Sequence, residues 1–212
     1  MSGYHGKSRF DLDVALYAAM AAVVVGVQQI HRRRNYELAK WSTHFASEEA
    51  AMAWANGPVR VTIVAAYIAM VDLTREAVRF VQERHGDYSF EVYCASADAI
   101  QGETLDYMVL ALPPSTREWS EWLCDPSRLL TIMSRYHWQL VLTHVFDDGI
   151  RVNGQRREDS QRDSIQVILD MQRRANSTWT WHSMLQMLNL GNEDGFWNCW
   201  MQVLPYSNII LI

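Results

Sequence analysis

Residues 127–146 read SRLLTIMSRYHWQLVLTHVF, and the period assigned to this run decides the fold. Asp125-Pro126 ahead of it supplies an N-cap with proline at the first helical position, and Asp147-Asp148-Gly149 stops it. Taken as a helix, the run is apolar on more than one face, through Leu129, Leu130, Ile132, Met133, Trp138, Leu140, Val141, Leu142, Val145 and Phe146. A helix that is apolar nearly all round is enclosed by others. The expected fold is therefore all-α: a globular bundle of about seven or eight helices around a central helix at 127–146, with at most a minor strand pairing.

Working outward, start and stop signals of helices dominate. Ser8 with Asp11 has capping-box spacing before an apolar run over 10–30, and His31, Arg32, Arg33 and Arg34 gather where the helix macrodipole favours positive charge. Ser47 with Glu48 and Glu49 opens a second helix that Gly57-Pro58 closes, and Pro58 starts a third running from 59 towards 85. Asp72 and Thr74 divide that third stretch. The β-branched Val61-Thr62-Ile63-Val64 keeps a strand open within it. Residues 88–94 alternate apolar and polar and form the best internal strand candidate. Residues 105–112 are a short apolar run of either type, ended by Pro113-Pro114, and Ser115 with Glu118 caps a short helix. Helical spacing resumes at Ile165, Ile168, Leu169 and Met171, passes through Trp181, Leu185 and Leu188, and ends at Pro205. Three parts follow: residues 1–35, an apolar helix with a basic end; 36–204, a helical domain; and 205–212, an apolar tail.

Composition excludes several classes. The 212 residues are 49% hydrophobic and 20% charged, with 10 Gly and 5 Pro, which suits a chain that buries a core and rules out collagen-like or wholly disordered ones. A net charge of -5 argues against nucleic-acid binding by the whole surface. Cys94, Cys124 and Cys199 are odd in number and widely spaced, which fits a reducing, intracellular compartment better than a disulfide framework. The run over 14–30 has borderline length for a membrane anchor, and better suits a core helix.

No catalytic constellation is visible. The sequence holds no nucleophile elbow, phosphate loop or dinucleotide turn, so no catalytic residue, cofactor or small-molecule substrate is expected. His137 and His144 would share a face of the central helix, but without a third ligand they make no metal site. Arg32, Arg33 and Arg34, close to Tyr36 and Trp41, are candidate phosphate or anion contacts. The helix C-terminus accounts for the same charges without a ligand.

Val145-Phe146-Asp147-Asp148-Gly149-Ile150 resembles the first homology motif of Bcl-2-type apoptosis regulators, and Asp194-Gly195-Phe196-Trp197 with Trp200 resembles their second. The resemblance covers about a dozen residues and implies an all-helical groove for an amphipathic partner helix. The chain departs from that pattern at 151–163, which is strongly polar where the family has an apolar helix.

The C-terminal region carries the main functional expectation. From Ala175 onward Glu193 and Asp194 are the only charges, and Trp179, Trp181, Trp197 and Trp200 crowd there. Such a surface is either core or the dry centre of an interface. The chain is accordingly expected to be a non-enzymatic structural or adaptor subunit that contacts a protein partner, or itself, through Trp197, Trp200, Tyr206, Ile209, Ile210, Leu211 and Ile212. A single-span membrane-anchored accessory subunit is the alternative. A Bcl-2-like groove protein and an arginine-mediated RNA or phosphate binder are lesser ones.

Overall fold

The structure is a computed structural model that describes residues 2–5, 8–34, 45–86, 89–112, 125–143, 179–203 and 210–211. The all-α bundle is not what the chain forms. Its centre is a four-stranded parallel sheet of β3 (Arg60–Ala65), β4 (Glu91–Ser96), β5 (Leu105–Ala111) and β6 (Tyr136–Leu142), in the order β4-β3-β5-β6. A second, antiparallel sheet joins β1 (Ser2–His5), β2 (Ser8–Asp11) and β7 (Ile210–Leu211) in the order β2-β1-β7.

The run at 127–146 is where the all-α reading fails. Asp125 does cap a helix, accepting from the Ser127 N–H at 3.0 Å, but that helix, α4 (Pro126–Met133), ends after two turns. Ser134 and Arg135 turn the chain, with their N–H groups bonded to Leu130 and Ile132 carbonyls. Tyr136–Leu142 then lies beside β5 as a parallel strand, Val109 opposite Val141 and Leu110 opposite Leu142. Its apolar residues are half-buried on both sides, Trp138 and Val141 against the first core and Leu140 and Leu142 against the second, and such a strand lacks the alternation that marks one-sided burial. The proposed central helix is thus a short helix and a strand, and His137 lies on β6 rather than on a helical face shared with His144, which is outside the described residues.

The stretch from 59 to 85 divides in the same way. Val61, Thr62, Ile63 and Val64, all buried, form the inner strand β3, which pairs with β4 on one side and β5 on the other. Helix α3 (Ile68–His85) crosses back to β4, and Asp72 and Thr74 lie within it. Gly86, in the left-handed region at φ 76°, closes α3 with its N–H on the Gln82 carbonyl at 2.8 Å.

Two cores result. On the first face Val61, Ile63, Cys94, Tyr107 and Val109 pack beneath α1 (Leu12–Arg34) and α3. On the second, Val64, Ala95, Met108, Leu110 and Leu112 pack with Ile100 from the β4–β5 connection and with Leu129, Ile132 and Met133 of α4. Helix α1 is the enclosed one: it touches the sheet on one side and α3 on the other, and Asp11 caps it by accepting from the Val14 N–H at 3.0 Å. By length and composition α1 could cross a membrane, and 72% of its most apolar window is buried inside this fold.

A third layer covers α1 and α3. It consists of α5 (Trp181–Leu188), held by a capping box between Thr180 and Ser183, and α6 (Glu193–Val203). Trp181 meets Tyr17 at 4.7 Å between ring centroids, and Phe80 meets both Phe196 and Trp200 at 5.1 Å. Helix α2 (Glu48–Asn56), capped by Ser47 as its sequence indicates, is peripheral, with Ala51 its one buried residue. The groove implied by the apoptosis-regulator resemblance belongs to an all-helical fold and has no place over this parallel sheet. Its first motif, at 145–150, lies outside the described residues, while Phe196 of the second faces the core.

Candidate functional site

Strand order locates a first site. After β3 the chain enters α3 on the first face, whereas after β5 it passes to α4 on the second. Adjacent parallel strands that send their connections to opposite faces leave a crevice beyond their carboxyl ends, where ligands of open α/β sheets bind. Here Ala66-Tyr67 follows β3, Leu112 follows β5, and Ala97-Asp98 follows β4. Ala65, Ala97 and Ala111, all buried, put only small side chains at these strand ends. Tyr67 is the N-cap of α3 without a side-chain capping bond, its carbonyl accepting from Met70 and Val71, and Ile68 stands 71% exposed at the rim. Ser96 accepts from the Ala99 N–H at 3.3 Å, which turns the exposed Asp98 outward beside the β4 end. The β3–α3 turn contains no glycine, so the close backbone approach that a diphosphate needs is missing.

At the opposite edge, the end of α1 brings a cluster of polar groups into the helix–sheet interface. Arg33 is only 7% exposed; its Nη1 donates to the Gly57 carbonyl at 2.8 Å and the Pro58 carbonyl at 3.2 Å, and its guanidinium carbon lies 4.1 Å from the Trp54 ring centroid. One turn earlier, Gln29 donates to Gln139 of β6 at 3.1 Å. Tyr107, paired in register with Gln139, is 1% exposed. Burial pushes its phenol above the ordinary value, and the neighbouring Arg33 guanidinium pulls in the other direction. The Arg33 Nε and the Tyr107 hydroxyl are buried without a hydrogen-bond partner. Trp54, Trp138 and Phe45 pack around each other beside them, with centroids 5.7–5.8 Å apart.

Of the anion contacts expected from sequence, Arg33 is therefore inside the fold, Arg32 is exposed, and Arg34 ends α1. The expected partner-binding residues divide. Trp200 has 0% exposure and packs on Phe80, so it presents no surface to a partner in this conformation. Trp197 lies on α6. Ile210 and Leu211 are extended and pair with Tyr4 and Gly3 of the same chain, and Tyr206, Ile209 and Ile212 lie outside the described residues. Sequence reasoning passed over Tyr107, in a run left of either type, Gln139, which it placed on the central helix, and Gln29, whose polarity inside an apolar run was the available signal. Among the described residues no group of three or more His, Cys, Asp or Glu side chains could hold a metal ion.

The reversal between β3 and β5, with covering elements on both faces, defines a doubly wound α/β protein. No protein-family model matches the sequence, and no curated protein matches it.

Proposed function

We propose that this chain binds a small nucleoside-like ligand in the crevice at the carboxyl ends of β3 and β5. The observation that carries the reading is the strand-order reversal at that point. The ligand class comes from the side chains around it. Alanines and the neighbouring Tyr67 and Ile68 suit a flat heterocycle, while an acid just beyond the second strand of a βαβ unit, here Asp98, is placed to accept from ribose hydroxyls. A turn without glycine favours a ligand that lacks a diphosphate.

Titration calorimetry with adenosine, uridine and a dinucleotide tests this. A nucleoside should bind saturably, Asp98→Asn should weaken it about tenfold by removing a charge-assisted acceptor, and Ala66→Trp should abolish it by filling the crevice. Nucleosides giving no heat, or binding that both variants leave unchanged in a folded protein, would reject the site.

A further inference from the structure

The amino-terminal edge of the sheet holds an arrangement that packing alone does not call for. A guanidinium withdrawn from water normally meets a carboxylate or a full set of acceptors, since an incompletely compensated buried charge is costly. Arg33 has two backbone carbonyls, both on Nη1, and the face of Trp54. Among the described residues no carboxylate pairs with it, and its Nε is unbonded. Beside it the equally buried Tyr107 hydroxyl lies close enough to the Arg33 guanidinium to feel its pull, yet its own proton meets no acceptor. The hydroxyl can accept from Arg33, but its own proton and the remaining guanidinium N–H still lack an acceptor, and the positive charge favours an anionic one.

We propose that Arg33 and Tyr107 form a binding site for a small oxyanion, phosphate or carboxylate, which enters when α2 moves aside. The Nε edge of Arg33 presents the donor fork that such oxygens match, and Nη1 keeps its hold on the Gly57 carbonyl at the end of α2. The neutral Gln29–Gln139 pair lines the sheet side, and exposed Arg32 adds charge nearby. Entry through α2 is inexpensive because that helix buries only Ala51 and otherwise rests on Trp54 and its aromatic neighbours. This site lies at the opposite end of the strands from the nucleoside crevice and stands independently of it.

The test is calorimetric titration of the full chain with inorganic phosphate and, separately, sodium acetate, against sodium chloride at matched ionic strength. One of the two oxyanions should bind saturably, and which one identifies the ligand chemistry. Tyr107→Phe and Arg33→Lys should each weaken binding about tenfold or more, because each removes a hydrogen bond to a charged group. Asp106→Asn, a surface change beside Tyr107 that puts little folding at risk, should tighten it by removing a nearby negative charge. Hydrogen exchange of α2 should slow once the site is filled. Heats equal to those of chloride for both anions overturn the proposal, as does a folded Tyr107→Phe protein that binds with unchanged affinity. An affinity unmoved by Asp106→Asn counts against it even if the interior variants fail to fold.

Discussion

Gly26 lies in the middle of α1, where an alanine would ordinarily raise helix stability by about 0.8–1.0 kcal/mol. Here the sign should invert. A Cβ at that position would stand 2.3 Å from Phe90 Cδ2, 2.5 Å from Cε2 and 2.6 Å from Cγ. Carbon atoms in contact prefer roughly 3.5–4.0 Å, so the overlap exceeds an ångström. Cγ lies on the ring's own rotation axis, so turning the ring does not relieve the clash. Phe90 would have to leave its site at the head of β4, where it is 4% exposed, or α1 would have to lift from the sheet. Overpacking of this kind costs about 1–3 kcal/mol, and the close approach places Gly26 in the upper part of that range. After the propensity gain, Gly26→Ala should lose about 1–2 kcal/mol, which for a chain of this length lowers Tm by about 2–8 °C. Thermal unfolding followed by circular dichroism measures this directly. The double variant tests the cause: in a Phe90→Ala background, which itself costs about 3–5 kcal/mol, adding Gly26→Ala should raise Tm instead of lowering it. A higher Tm for Gly26→Ala alone, or an equal loss in both backgrounds, would refute the close packing of α1 on Phe90.

Trp200→Ala should cost about 3–5 kcal/mol by emptying a core position against Phe80, and its effect on Tm should not depend on protein concentration. A concentration-dependent loss with monomer stability intact would instead make Trp200 an interface residue. Burial lifts the Cys94 thiol to about 12 from 9.0, so the native state keeps its proton over a range in which the unfolded state has lost it. Stability from this group is present in full below pH 9.0 and is lost as pH rises towards about 12. Cys94→Ala should therefore flatten the alkaline limb of a pH–stability profile, and an unaltered slope would contradict the burial. Iodoacetamide at pH 8 should correspondingly label half-buried Cys199 before Cys94, as peptide mass mapping would show.

Local signals in the sequence were read well because they act locally. Ser47 and Asp125 cap α2 and α4 where the residue types indicate, Gly57 closes α2, and the residues after Pro205 are extended where described. A cap needs only a side chain and the next turn of backbone. The capping box expected from Ser8 is the exception: Ser8 is taken into β2 by pairing with β1, and Asp11 alone caps α1. The strand candidate at 88–94 and the β-branched run at 61–64 likewise fall on β4 and β3. The layers were not legible, since periodicity reports burial on one side only. β3 and β5 are covered on both faces, β6 is half-buried on both, and α1 is enclosed nearly all round, so each reads as an apolar run without a helical or strand period. The run at 127–146 joins a helix to such a strand, and only pairing with β5 separates them.

The same division holds for function. Sequence selected the three arginines at the end of α1, but helix phase against the sheet decided that Arg33 turns inward and Arg32 outward. Tyr107 meets Arg33, and Gln139 meets Gln29, from two strands whose register sets Tyr107 opposite Gln139, 32 positions away in the chain. The crevice between β3 and β5 is a property of strand order, which no single segment encodes. Charge-poor, tryptophan-rich helices announce that a large apolar surface must be buried. Only the assembled third layer decides that α1 and α3 bury it, with Trp200 closed inside against Phe80.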